Sequence, residues 1–309
     1  MSSNIVKVGT RGSFLALTQT RTVIRQLSEI NPDVQFELVT ISTAGDVDRV
    51  TALDKIGGAG LFTKKIEQEL LAGDIDIAVH SAKDLPSVMT DGLVIGAVPE
   101  RFPVEDVWLS CDGMKLAETP PGTVVGTGSP RRQAQLRYLR PDLEVQDIRG
   151  NIETRIRKMK EGDYGAVLMA RAGLERGGFA GEITEILDPD KFVPAPGQGA
   201  LAVQIRAGDD RLGQITAPLD DSESRRTLEI ERSLLARLQA GCSTPVGGQA
   251  RLENGAMRLT AVLLDIAGKT RLYVSRRSDG KLSDDELLEA VVNELFSQGA
   301  EELLADYHD

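Results

Sequence analysis

Three short strings set arginine and a small polar residue beside a helix start: Thr10-Arg11-Gly12-Ser13, Thr127-Gly128-Ser129-Pro130-Arg131-Arg132 and Arg149-Gly150-Asn151. Each falls where a strand-like segment gives way to helical spacing. Ser13, Ser129 and Asn151 can cap those helices, and Pro130 fits a first helical position. Helix N-termini expose backbone N–H groups at the positive end of the dipole, which favours anions. Arginine's planar fork meets carboxylate or phosphate with two parallel hydrogen bonds. One such junction means little, because every helix must start somewhere. Three with arginines point to anion binding, by carboxylates or by phosphates.

A second candidate is His80-Ser81-Ala82-Lys83-Asp84-Leu85-Pro86, directly after the strand-like Ile75-Asp76-Ile77-Ala78-Val79. Lys83 and Asp84 would sit at the carboxyl end of a strand, where ligands bind in open α/β sheets. A carboxylate beside a cation there can handle a cationic intermediate or a nitrogen-bound proton. The blander alternative is a surface ion pair in a turn. His80 reads as structural and His308 as tail. Cys242 follows a helix and Gly241, near the helix's negative end, which does not activate a thiol. By its own spacing it reads as a small buried hydrophobe. Two cysteines, Cys111 and Cys242, and two histidines offer no zinc spacing, so no metal is expected. No Walker A string and no G-x-G-x-x-G after a first strand is present, so nucleotide binding has no support.

Composition narrows the partners. The 309 residues carry a net charge of −11 with 4% aromatics, a poor match to a nucleic-acid surface. The charge is uneven. Residues 281–309 hold nine acids and one base, whereas residues 125–180 hold nine arginines and two lysines against seven acids. Of the 36 basic residues 25 are arginine. An acidic chain with an arginine-rich middle fits a pocket for a small polyanion. No apolar run approaches the roughly 20 residues of a membrane span. The opening MSSNIVKVGT lacks a charged segment followed by an apolar stretch, so a cytoplasmic location is expected.

The elements that must hold these residues alternate. Strands are expected at 5–10, 34–41, 75–79 and 93–98, with helices at 13–30 and 62–71. The pattern repeats with strands at 123–127, 143–148 and 166–169 and helices at 130–140 and 152–160. This alternation implies mainly parallel sheets. Residues 99–103 and 192–199 read as two connectors between the same two domains, so the chain crosses over and returns to a strand at 200–205. A helix at 222–238, three strand-like segments and an acidic helix at 283–305 form a small α+β end. The expected domains are 1–99 with 200–217, then 100–199, then 218–309. Residues 42–60 have no clear period and four glycines, as functional loops often do.

Six strings occur together in order: VGTRGSFLAL, HSAKDLP, GTGSPRR, RGNIETRIRKM, PAPGQGALAVQ and ERSLLARLQAGCSTPVGG. Together they resemble the signatures of the porphobilinogen deaminase (hydroxymethylbilane synthase) family over nearly the whole chain. The resemblance implies two α/β domains of the type II periplasmic-binding-protein kind plus a small third domain, acting as a monomer. It implies a transferase that joins four porphobilinogens head to tail and releases four ammonia. The family's dipyrromethane cofactor is tied by a thioether to the cysteine that Cys242 matches, which overturns the reading from spacing. Asp84 becomes the main catalytic carboxylate, with Lys83 as the second catalytic residue and a neighbour of the cofactor. Ser129, Arg131, Arg132, Arg149 and Arg155 become cofactor ligands. Arg11, Ser13, Arg149, Arg155 and Arg176 become substrate ligands. The loop at 42–60 becomes a lid, with Lys55 and Phe62 as its candidate contacts.

Some positions depart from the family pattern. Ala59 stands where a lid lysine is common, Ala240 replaces a glycine before Gly241-Cys242, and Arg171 and Gly177 fall where smaller or apolar residues are usual. A competing expectation is a non-catalytic anion-binding protein on the same fold. It accounts for the arginines but gives Asp84 and Cys242 no task.

Overall fold

The computed structural model describes residues 4–42, 63–241, 243–305 and 307. The chain divides into two compact units, Met1–Phe102 with Gly199–Leu228, and Pro103–Gln198 with Glu229–Asp309. The chain passes from one unit to the other three times, at 102–103, 198–199 and 228–229, the first two inside the segments 99–103 and 192–199.

Unit 1 is built on β1 (Ile5–Arg11), β2 (Gln35–Ile41), β3 (Ile77–Ser81), β4 (Leu93–Ala97) and β10 (Leu201–Arg206), ordered β2-β1-β3-β10-β4. β1 runs parallel to β2 and β3, while β10 is antiparallel to β3 and β4. Period-2 side chains bury both faces. Val6, Val8, Ile77 and Val79 pack with Val23 and Leu27 of α1 (Phe14–Ile30). Ile41, Ile75 and Ala78 pack with Ile66 and Leu70 of α2 (Lys64–Ala72).

Unit 2 repeats the arrangement with β5 (Asp106–Ser110), β6 (Val124–Gly126), β7 (Glu144–Gln146), β8 (Ala166–Ala170) and β9 (Glu185–Ile186), ordered β7-β6-β8-β5-β9. Val107 and Leu109 face one core with Val167 and Met169, and Trp108 faces the other with Leu168. Helices α3 (Pro130–Leu139) and α4 (Ile152–Lys160) follow β6 and β7. In each unit a parallel trio is followed by one antiparallel strand that arrives from a crossover, then by an edge strand. The same order of strand directions thus occurs in both units.

The sheets are therefore mixed rather than mainly parallel. A strand entering straight from a crossover meets the trio from the opposite end, and alternation alone does not reveal that. β5, β9, α5 (Arg171–Arg176) and α6 (Asp210–Thr216) are short and were not anticipated.

A third sheet is an antiparallel meander of β11 (Val246–Glu253), β12 (Ala256–Leu264) and β13 (Arg271–Arg277). It has its own core with Leu234 of α7 (Ser222–Arg237) and Leu287, Val291 and Leu295 of α8 (Asp284–Ser297). The sequence reading began a third domain at 218. Here residues 229–309 group with 103–198, and α7 is shared: Leu228 packs with Ala82 and Leu85 in unit 1, Leu234 with the third sheet. The single acidic helix expected at 283–305 is two, because Gly299 adopts φ 101 and the chain restarts as α9 (Ala300–Ala305). Ser283 opens α8 with a capping box to Glu286.

Candidate functional site

All three expected junctions form as capped helix starts. Ser13 Oγ accepts from Ala16 N at 3.3 Å, Ser129 Oγ from Arg132 N at 3.5 Å, and Asn151 Oδ1 from Thr154 N at 2.9 Å. Pro130 takes the first turn of α3. Gly150 turns the chain into α4 at φ +111, where a Cβ would come within 2.6 Å of Thr154. Only glycine fits that corner between Arg149 and the helix.

In unit 1, Arg11, Ser13, Gln19, Thr63, His80 and Asp84 line one small cleft. Asp84 ends a 3-10 turn, Ala82–Asp84, directly after β3. Ala82 and Leu85 are buried on either side and hold that turn down, and Ala82 N donates to Ala200 O at 3.0 Å. The carboxylate of Asp84 is left exposed and Lys83 half-buried. His80 is buried, its Nε2 3.1 Å from Gln204 Oε1.

In unit 2, consecutive arginines meet a buried acid that sequence reasoning missed. Asp106 is fully buried at the start of β5. Its Oδ2 lies 2.7 Å from Arg131 Nη1, and its Oδ1 accepts from Arg132 Nε at 2.8 Å and from Gln198 Nε2 at 3.0 Å. Burial alone would push the Asp106 carboxyl up, but the two guanidiniums hold it at about 2. Arg131 also donates to Val193 O at 2.6 Å. Asp106 therefore fixes the direction of both forks. The one local signal was an acid heading the apolar Val107-Trp108-Leu109.

Arg155 donates from Nε to Gly150 O at 2.8 Å. Burial, and then the like charges of Arg132 and Arg149, push its guanidinium down to about 10. Burial does the same to Arg176, also to about 10. Both remain charged at neutral pH. The three cations are close enough to oppose one another, an opposition that a nearby anion would lower. Arg171, a departure from the family pattern, is taken up by Glu175 at 2.7 Å and Glu105 at 3.3 Å. Cys242, Lys55, Ala59 and Phe62 lie outside the described residues. Among the described residues, no helix is long and apolar enough to cross a membrane.

The fold and these groups define an anion-handling protein on a duplicated α/β scaffold, with a carboxylate presented from unit 1 and clustered arginines in unit 2. Two family models match it: "Porphobilinogen deaminase, dipyromethane cofactor binding domain" over residues 6–214, and "Porphobilinogen deaminase, C-terminal domain" over residues 226–291. The chain is 41% identical over 308 residues to the porphobilinogen deaminase of Syntrophobacter fumaroxidans, covering 100% of this chain and 99% of that one. It is 45% identical over 299 residues to that of Halalkalibacterium halodurans, covering 96% and 95%. Among solved structures it is similar to the methionine binding protein MetQ, with TM-score 0.44, 13% identity and coverage of 76% and 95%. The chain belongs to the porphobilinogen deaminase family.

Proposed function

We propose that this chain is a transferase that joins four porphobilinogens head to tail into the linear tetrapyrrole hydroxymethylbilane and releases one ammonia for each. The observation that carries this is the arginine cluster of unit 2, in a chain whose matched family model is named for dipyrromethane cofactor binding. Each porphobilinogen brings an acetate and a propionate, so primer and product are polycarboxylates. Opposed guanidiniums at Arg132, Arg149 and Arg155 suit such a group, with Ser129 and Arg131 beside Arg132 at the start of α3. When bound, the dipyrromethane group supplies the pyrrole carbon that starts the chain, and Cys242 is its attachment residue. Arg11, Ser13, Arg149, Arg155 and Arg176 take substrate carboxylates.

Asp84 is the catalytic carboxylate. It stabilises the cation left when ammonia departs from porphobilinogen and accepts pyrrole N–H protons. Lys83, its neighbour, contributes a cation toward the cofactor's carboxylates. Lys55 and Phe62 act in a lid. The enzyme works as a cytoplasmic monomer. The non-catalytic anion binder is not favoured, since nothing in it uses Asp84 or Cys242.

The test is porphobilinogen added to the purified protein. One ammonia is expected per porphobilinogen consumed, and binding without ammonia release contradicts the reading. In the same assay Arg149→His loses a bidentate fork and should cost about tenfold or more in chain elongation. Its enzyme–substrate intermediates should shift toward the shorter ones by mass, and an unchanged distribution removes Arg149 from carboxylate binding.

A further inference from the structure

Unit 1 holds a buried hydrogen-bond chain that the proposed chemistry leaves unused. Glu67, 3% exposed, accepts from Thr90 Oγ1 at 2.9 Å and from Gln204 Nε2 at 2.8 Å. A carboxylate only accepts, so the Gln204 amide turns its NH2 to Glu67 and its oxygen to His80. His80 Nε2 lies 3.1 Å from that oxygen and must carry the hydrogen. Burial pushes the imidazole down, so the neutral form prevails. With the hydrogen on Nε2, Nδ1 is an acceptor.

His80 lines the same cleft as Arg11, Ser13 and Asp84. The cleft thus divides by polarity. Arg11 and the start of α1 offer donors, which suit a carboxylate. Asp84 offers an acceptor, and Nδ1 is the ring nitrogen of His80 that Gln204 does not engage; acceptors of this kind suit an N–H group and repel an anion.

Resting on the proposed function, we propose that His80 is a substrate-binding residue whose Nδ1 accepts a hydrogen bond from a nitrogen-bound hydrogen of porphobilinogen, with Gln204 and Glu67 as positioning residues that fix its tautomer. The atoms that recognise the substrate's nitrogen are then Asp84 and His80 together. Each carboxylate of the substrate is left to the arginines.

The test uses the whole protein with its cofactor. His80 and His308 are the only histidines, so 15N-histidine labelling with His308→Ala leaves one imidazole to observe. The expected spectrum shows hydrogen on Nε2 alone, with no titration across neutral pH. His80→Gln keeps a donor toward Gln204 but has no acceptor at the Nδ1 position. Its kcat/KM for porphobilinogen should fall about tenfold, the scale of one hydrogen bond, with thermal midpoint and cofactor mass unchanged. His80→Asn, with an amide oxygen near the Nδ1 position, should recover part of the loss. A hydrogen on Nδ1, or full activity of His80→Gln beside an active wild type, overturns the inference alone. A wild type that releases no ammonia overturns the proposed function and this inference with it.

Discussion

Asp84→Ala is expected to lower turnover of porphobilinogen by about a thousandfold or more while leaving the covalent cofactor in place. The magnitude follows from asking one carboxylate to serve as acid–base group and as partner of a developing cation. The structure makes the variant clean. Asp84 is exposed, and its turn is held by the buried Ala82 and Leu85 on either side, so removing the carboxylate should not disturb β3. Steady-state ammonia release measures the loss, and the intact mass checks that the cofactor is still attached. Near-normal turnover with the cofactor present would remove Asp84 from the mechanism.

The largest expected effect on stability lies at Asp106. Asp106→Asn leaves Arg131 and Arg132 buried without their carboxylate. Stranding buried charge costs about 3–5 kcal/mol, which urea unfolding should show as a lower midpoint. Asp142→Asn is the control. Its pair with Arg140, 2.7 Å apart at the partly exposed edge of unit 2, is screened by solvent and should move the midpoint far less. Equal effects of the two variants would contradict the account.

The same group sets an acid limit. The folded carboxyl of Asp106 sits at about 2, below its ordinary value of 3.8. A depressed carboxyl stabilises the folded state fully above the unfolded value, and the contribution is lost as pH falls toward the folded one. Stability of the wild type should therefore drop between about pH 4 and pH 2. Asp106→Asn should lose this part of the pH dependence.

What the sequence made legible was local. Ser13, Ser129 and Asn151 cap the helices they were expected to cap, because a cap needs only a short side chain within reach of the next turn. The first two crossovers were readable as connectors without periodicity. The direction of β5 and β10 was not, since strand direction depends on how the returning chain meets a sheet assembled from distant segments. Asp106 was invisible for the same reason: its partners Arg131, Arg132 and Gln198 lie 25 to 92 residues away. The chain from Glu67 through Gln204 to His80 spans 137 residues and leaves no local pattern. The role of Cys242 came only from the resemblance, because a thioether partner imposes no periodicity on its surroundings.

The central claim is that this chain carries a primer made of its own substrate, attached at Cys242. Intact mass of the purified protein, beside that of Cys242→Ser, tests it most directly. The account predicts an excess in the wild type equal to two porphobilinogens less two ammonias, and its absence from the variant. A wild type at the bare polypeptide mass that gains none and releases no ammonia on adding porphobilinogen, or a variant that keeps the excess, contradicts it.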